Sequence, residues 1–135
     1  MNILVTGGAG FVGINLAQHL LLNNNNVTIF DHFSRSGSKK NLFWIKNQSF
    51  NSKLKIIEGD IQNFSLLIES IKNIDIIYHL AGQVAVTSSL IDPNNDIKNN
   101  LFGTFNILEA IRQSKNRPAL IFTSTNKVYG ALKNL

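Results

Sequence analysis

The feature that most constrains the fold of this chain is a glycine-rich turn close to its first residue. An apolar run at 3–5 leads into the stretch TGGAGFVG at 6–13, and a segment with helical spacing follows. A strand, a glycine turn and a helix in succession predict the first unit of a parallel α/β sheet. Gly7, Gly10 and Gly13 have the spacing that provides a tight turn with positive φ, room for a ligand against the main chain, and close packing of helix on strand.

The helix after this turn predicts an anion site. Its first amides have no partner within the helix, and the aligned peptide dipoles place partial positive charge there, so a phosphate is favoured above the turn. Asp31 ends the next apolar strand about 18 residues after Gly13, where dinucleotide-binding folds place the acidic residue that binds ribose hydroxyls. Its carboxylate favours NAD over NADP, while the nearby Arg35 keeps NADP as an alternative. A cap or turn residue is the alternative role for Asp31, and packing alone is the alternative for the glycines.

Short apolar runs alternate with amphipathic stretches along the whole chain, which is typical of a parallel sheet with crossover helices. We predict strands at 2–6, 27–31, 54–58, 75–80 and 119–124, and helices at 11–22, 41–46, 64–72 and 93–114. Right-handed crossovers then give a Rossmann-like, doubly wound α/β sheet with strand order 3-2-1-4-5. A cofactor would lie across its carboxyl edge, between strands one and four. Phe43 and Trp44 are expected to be packing residues.

Composition narrows the class of protein. The chain has 135 residues, 44% of them hydrophobic and 16% charged, and no cysteine, which predicts one globular domain in a reducing, cytoplasmic compartment. No apolar run approaches the roughly 20 residues needed to cross a bilayer. The net charge of +5 is spread along the chain, so nucleic-acid binding is only a minor alternative. The histidines lack metal-ligand spacing, so no metal is predicted, and His79 is expected to be a packed, hydrogen-bonded core residue.

Several separate stretches together resemble one family. Besides the turn at 6–13 and Asp31, they are GDI at 59–61, HLAGQ at 79–83, Asn100 with GT at 103–104, and STNKVYG at 124–130. This set is similar to the extended short-chain dehydrogenase/reductase superfamily, the NAD-dependent sugar-nucleotide epimerases and dehydratases. The pairing of HLAGQVAVT with STNKVYG most resembles the CDP-tyvelose (CDP-paratose) 2-epimerases.

The resemblance implies NAD as the cofactor and a role for each matched position. The turn would cradle the pyrophosphate, Asp31 would hold the adenosine ribose, and the other positions would contact adenine or line the nicotinamide side. The implied cofactor-binding residues are Gly7, Gly10, Phe11, Val12, Gly13, Asp31, Asp60, Ile61, Leu80, Ala81, Gln83 and Asn100. Thr125 would be the catalytic hydroxyl that hydrogen-bonds the reacting sugar oxygen. The alternatives are a helix cap for Asp60 and an ordinary exposed helix position for Asn100.

The implied chemistry is a transient oxidation of a nucleotide-sugar, in which a hydride leaves a sugar carbon and returns to its other face. In this superfamily 4,6-dehydratases carry an acidic pair after the threonine, whereas this chain has Asn126 and Lys127, so an epimerase is favoured. The family's Tyr-x-x-x-Lys lies further along than this chain reaches. Tyr129 and Lys133 match that spacing only by accident, because their segment matches the upstream motif.

The resemblance predicts that residues 1–135 are the NAD-binding Rossmann domain of an epimerase. This domain would be truncated, and inactive without a C-terminal substrate-binding part. The resemblance also implies a homodimer, or pairing with that missing part. The alternatives are a non-catalytic nucleotide-binding module or truncated product, and another extended short-chain dehydrogenase such as a 4-epimerase.

Overall fold

The computed structural model describes residues 1–50, 52–83 and 85–124. The predicted catalytic residue Thr125 and the stretch 126–130 lie outside these described residues. In chain order the elements are β1 (Asn2–Thr6), α1 (Phe11–Leu22), β2 (Asn26–Asp31), α2 (Ser38–Lys46), β3 (Leu54–Glu58), α3 (Phe64–Ser70), β4 (Ile76–His79), α4 (Val86–Ile91), α5 (Pro93–Asp96), a π turn (Ile97–Phe102), α6 (Gly103–Gln113) and β5 (Ala119–Phe122).

The strands in the described residues form one five-stranded sheet with the order β3-β2-β1-β4-β5, and each neighbouring pair is parallel. The predicted fold class and strand order are therefore confirmed. Thr6 at the end of central β1 is level with Phe30 of β2 and His79 of β4. Because parallel strands share one carboxyl edge, the segments that leave these strands emerge side by side.

The sheet carries a hydrophobic core on each face, as a doubly wound sheet requires. Alternate residues of β1 point to opposite faces: Ile3 and Val5 join one core and Leu4 joins the other. The first core packs α1 and α2 against the sheet through Ile14, Ala17, Leu20, Leu21, Leu42 and Ile45. The second packs α3 and α6 through Leu67, Ile107 and Ala110. Within the described residues, no helix is long and apolar enough to cross a membrane.

The prediction that Phe43 and Trp44 are packing residues is wrong. The buried residues on α2 are Ser38, Leu42 and Ile45, whereas Phe43 is 70% exposed and Trp44 is 43% exposed. Residues three apart lie on one face of a helix. The pair between Leu42 and Ile45 therefore lies away from the core.

The single helix predicted over 93–114 is three elements: α5, the π turn and α6. A separate short helix, α4, precedes these three elements in a segment where no helix is predicted from the sequence. Asp92 separates α4 from α5 with a non-helical backbone, φ −135° and ψ 79°, and caps α5 by accepting from the Asn95 amide. Pro93 occupies the first position of α5, where its missing N–H costs nothing.

Candidate functional site

A cleft of about 520 Å³ opens at the carboxyl edge of the sheet, lined by the segments that follow β1, β2, β3 and β4. Eleven of the twelve predicted cofactor-binding residues line it, namely Gly7, Gly10, Phe11, Val12, Gly13, Asp31, Asp60, Ile61, Leu80, Ala81 and Gln83. The remaining one, Asn100, hydrogen-bonds the main chain of Gln83. The structure therefore brings these residues together around one cavity.

The glycines of the turn differ in what surrounds them. Gly7 has φ +67°, and a Cβ there would lie 2.7 Å from the Ala81 nitrogen. A Cβ at Gly13 would collide with the Gly7 carbonyl oxygen. At Gly10, by contrast, a Cβ would meet a single described neighbour outside the adjacent residues within 4 Å, the Gly7 oxygen at 3.2 Å. The protein's own packing thus requires glycine at positions 7 and 13, whereas Gly10 leaves its open side to the cleft.

The first turn of α1 presents main-chain donors at this cleft. The Ile14 N–H donates to the Gly10 carbonyl at 2.9 Å, and the amides before it, at 11–13, precede the regular helical pattern. Gly10 offers no side-chain cap, and the first turn carries no acidic residue. No acidic side chain of α1 itself therefore offsets the partial positive charge at this helix end, which leaves its amides available to a phosphate.

The Asp31 carboxylate is fixed at the end of β2 by two main-chain donors. Its Oδ2 accepts from the Ala9 N–H at 3.0 Å, and its Oδ1 accepts from the Phe33 N–H at 2.9 Å. Phe33 is buried and has φ +57°, a conformation that non-glycine residues seldom adopt. A carboxylate has about four lone-pair sites, so these two bonds leave acceptor capacity for hydroxyl groups in the cleft.

Asp60 does not cap the helix that follows it, so that alternative is wrong. The cap of α3 is Asn63, whose side chain accepts from the Leu66 N–H at 3.1 Å. Asp60 Oδ1 accepts from the Gln62 N–H at 2.8 Å, and its other oxygen lies 4.0 Å from His32 Nε2. Asp60 is thus a turn residue whose carboxylate lines the cleft.

Ile61 contributes little side chain to the cleft. It is 6% exposed and belongs to the second hydrophobic core. A Cβ at Gly103 would collide with the Ile61 side chain, and Asn106 Nδ2 donates to the Ile61 carbonyl at 3.0 Å. Any ligand contact at this position would involve mainly its main chain.

Arg35 crosses the cleft, which the sequence does not reveal. One terminal nitrogen of its guanidinium donates to the Gly82 carbonyl at 2.7 Å and to Gln83 Oε1 at 3.2 Å. This links the loop after β2 to the loop after β4. Asn95 and Asn99 also line the cleft. The sequence pattern does not indicate this role, because both residues lie in a segment that is predicted to be one long helix.

His79 is buried and hydrogen-bonded, as predicted. It is 1% exposed, and its ring nitrogens lie 2.6 Å from Thr6 Oγ1 and 3.1 Å from Thr104 Oγ1. Burial lowers the pKa of His79 to about 4, so the ring is neutral at physiological pH. In the part of the chain that the structure describes, no group of three or more His, Cys, Asp or Glu side chains could hold a metal ion.

Strand order, glycine turn and cleft define the Rossmann-like class of α/β proteins. Within that class the chain belongs to the GDP-mannose 4,6 dehydratase family, whose model matches residues 4–135. The predicted family of sugar-nucleotide epimerases and dehydratases is thereby confirmed.

Individual relatives support the same grouping. The CDP-paratose 2-epimerase of Salmonella typhi is 41% identical over an alignment 135 residues long, which covers 98% of this chain and 39% of that protein. The dTDP-glucose 4,6-dehydratase of Mycolicibacterium smegmatis is 34% identical, with the same two coverages. A crystal structure of UDP-glucuronic acid 4-epimerase from Bacillus cereus, in complex with UDP-glucuronic acid and NAD, has a TM-score of 0.84 at 34% identity and covers 99% of this chain and 43% of that one. The chain thus spans well under half the length of these relatives.

Proposed function

We propose that this chain supplies the NAD-binding part of a nucleotide-sugar epimerase. The observation that carries the proposal is the juxtaposition in one cleft of the uncapped first turn of α1 and the fixed carboxylate of Asp31. A pyrophosphate beside a ribose with two free hydroxyls is complementary to this arrangement. The pyrophosphate accepts from main-chain N–H groups, and the ribose hydroxyls donate to a carboxylate a short distance away. Solved relatives such as the Bacillus cereus epimerase contain NAD, which supports the same assignment.

The residues of the cleft fit this cofactor in a definite order. The amides of Phe11 and Val12 would hold the pyrophosphate, with Gly10 leaving room for it. Asp31 would bind the adenosine ribose, and Asp60 with the Ile61 main chain would bind adenine. Leu80, Ala81 and Gln83 would line the nicotinamide end, with Asn100 behind them.

The proposal favours NAD over NADP. A 2′-phosphate would approach the Asp31 carboxylate, whose negative charge repels it. Arg35 is the cation that would offset this repulsion, but its guanidinium donates to Gly82 and Gln83 on the other side of the cleft. Discrimination against NADP is therefore expected to depend on Asp31.

When bound, NAD supplies reversible hydride transfer at a sugar carbon, whose hydroxyl loses its proton as the carbon is oxidised to a ketone. This chain would bind and orient the cofactor, and the Thr125 hydroxyl would hydrogen-bond the reacting sugar oxygen. Asn126 and Lys127 support an epimerase over a dehydratase, since elimination of water needs a proton donor after the threonine. We further propose that residues 1–135 act as one cytoplasmic NAD-binding domain. Catalysis would require a substrate-binding part, supplied by a longer chain or a partner subunit.

Calorimetric titration of the 135-residue chain tests this function. We expect saturable binding of NAD, weaker binding of NADP, and little binding of a single-stranded RNA at 150 mM salt. Tight RNA binding that weakens steeply with salt, together with no heat from NAD, would contradict the proposal and favour a basic nucleic-acid-binding domain.

A further inference from the structure

A line of hydrogen bonds, buried at Thr6 and progressively more exposed towards Asn100, joins the end of the sheet to the π turn. Thr6 at the end of β1 is completely buried, and its Oγ1 lies 2.6 Å from His79 Nδ1. On the other side of the ring, His79 Nε2 lies 3.1 Å from Thr104 Oγ1 at the start of α6. Thr104 Oγ1 lies 2.7 Å from the Asn100 carbonyl oxygen within the π turn.

The outer partners fix the direction of every bond in this line. A carbonyl oxygen only accepts, so the single hydroxyl proton of Thr104 goes to Asn100. The Thr104 oxygen must then accept from His79, which places the ring proton on Nε2. His79 Nδ1 carries no proton and accepts from the Thr6 hydroxyl. The Thr6 oxygen can in turn accept from the Ala81 N–H, 3.4 Å away.

The far end of the line reaches the wall of the cleft. Asn100 Oδ1 accepts from the Gln83 N–H at 2.7 Å, and Asn100 Nδ2 donates to the Gln83 carbonyl at 3.1 Å. The approach is close, since a Cβ at Gly82 would lie 3.0 Å from Asn100 Oδ1. Asn100 therefore binds both the N–H and the carbonyl of Gln83 and so anchors its main chain.

The surroundings of His79 shield the inner end of this line, the bond between His79 and Thr6. The Phe122 ring lies with its centroid 5.9 Å from that of His79, and Thr123 Oγ1 donates to the His79 carbonyl at 3.3 Å. A hydrogen bond in such a low-dielectric setting is strengthened, and a buried polar group left without a partner is costly. A π turn also departs from regular helix geometry, and such turns frequently occur at functional sites.

We propose that His79 is a positioning residue whose Nε2–H tautomer, through Thr104, fixes Asn100 and so holds the Gln83 main chain at the nicotinamide end of the cleft. Only the identity of the ligand there rests on the proposed function. The positioning itself is a property of the chain alone. His79 does not contact the cleft, so its effect on a ligand passes through Asn100 and Gln83.

Nuclear magnetic resonance on the whole 135-residue chain tests this directly. Long-range ¹H–¹⁵N spectra report the tautomer of each ring, and His19→Gln and His32→Gln identify the signals of His79. We expect His79 as the neutral Nε2–H tautomer. A dominant Nδ1–H tautomer would overturn the proposal.

Substitution of Thr104 tests the link to the cleft. Thr104→Val keeps the shape but removes the acceptor of the ring proton, and it should lower protection of the Gln83 amide against hydrogen exchange about tenfold, while Thr104→Ser should retain protection. The matched control is Ser70→Ala, because Ser70 likewise donates to the carbonyl four residues before it, Leu66, at 2.7 Å but does not touch His79. Equal Gln83 protection in Thr104→Val and the control would overturn the proposal.

NAD titration of the same variants separates the two proposals. If Thr104→Val lowers both Gln83 protection and NAD affinity about tenfold, positioning and cofactor site are both supported. If the wild-type chain binds no NAD but shows the expected tautomer and exchange pattern, the proposed function fails and the positioning role stands.

Discussion

The Ala9 N–H donates to Asp31 Oδ2 at 3.0 Å and so joins the glycine turn after β1 to the end of β2. The two proposed contact points for a dinucleotide, main-chain donors and carboxylate, are thereby held at a fixed separation. Arg35 extends this connection to the loop after β4 through the Gly82 carbonyl. The carboxyl edge thus has three of its loops tied to one another.

Asp31→Asn should weaken NAD binding about 10- to 100-fold, because hydrogen bonds to a charged acceptor contribute about 1.5–3 kcal/mol. NADP binding should change less, since repulsion of the 2′-phosphate is lost at the same time. Calorimetric titration with both cofactors measures the two effects. Glu69→Gln is the matched control, because Glu69 lies on α3, does not line the cleft, and has an exposed carboxylate that pairs with Lys72. Equal losses of NAD affinity in Asp31→Asn and Glu69→Gln would refute a specific role for Asp31.

Gly10→Ala and Gly13→Ala should separate ligand binding from folding. A methyl group at Gly13 collides with the main chain of the turn, so we expect a loss of unfolding free energy of about 1–3 kcal/mol. Gly10 lines the cleft, and a methyl group there would lie 3.2 Å from the Gly7 carbonyl oxygen. The loss of unfolding free energy should therefore be below about 1 kcal/mol, while NAD affinity falls at least tenfold. Urea unfolding and calorimetry on both variants give the two quantities. A Gly10→Ala chain with unchanged NAD affinity would show that the pyrophosphate does not approach this residue.

Substitutions of Asn63 and of Asp60 should likewise differ in their effects on stability and on NAD affinity, since of these two residues it is Asn63 that caps α3. Asn63→Ala should lower the unfolding free energy by about 1 kcal/mol and leave NAD affinity unchanged. Asp60→Ala should have the smaller effect on stability and reduce NAD affinity about tenfold. If the two variants show the reverse pattern, Asp60 has no place in the adenine site.

His79 should make the stability of the chain depend on pH. Its pKa is lowered to about 4 in the folded state by burial, against about 6.5 when unfolded. Between these values the unfolded state binds a proton that the folded state excludes, so stability falls as pH falls from 7 towards 4. For His79 alone, the unfolding free energy at pH 5.0 should be about 2 kcal/mol below that at pH 7.0.

Urea unfolding at the two pH values measures this dependence, with His79→Gln as the variant that lacks the titrating group. The difference between pH 7.0 and 5.0 should be smaller in His79→Gln by the same amount. An identical pH dependence in both proteins would mean that the folded state tolerates a charged His79.

The central elements of the fold are predictable from the sequence because their signals are local. β1, α1 and β3 have the predicted bounds, since each is a clear run of apolar periodicity ended by glycine or polar residues. The strand order follows from right-handed crossovers. The cleft residues follow from the glycine turn and from the position of Asp31, because the carboxyl ends of parallel strands meet at one edge.

The remaining features depend on tertiary contacts that periodicity does not encode. Within the π turn, Asn100 accepts a hydrogen bond from the Gln83 N–H, which lies 17 positions earlier in the chain. The sequence gives no helix signal for α4, because its segment, VTSSLI, consists largely of β-branched residues and serines with modest helix propensity. Arg35 reaches Gly82 over 47 positions. Such contacts can be found only once the sheet has brought the loops together.

The most direct measurement of the central claim is a map of amide chemical shifts of the ¹⁵N-labelled chain during titration with NAD. Binding as proposed predicts the largest shifts at Phe11, Val12, Asp31 and Ala81, along the carboxyl edge from the glycine turn to the loop after β4, with residues at the opposite edge unchanged. Absence of shifts at saturating NAD, or shifts confined to surfaces outside this cleft, would contradict the assignment of the chain as the NAD-binding part of an epimerase.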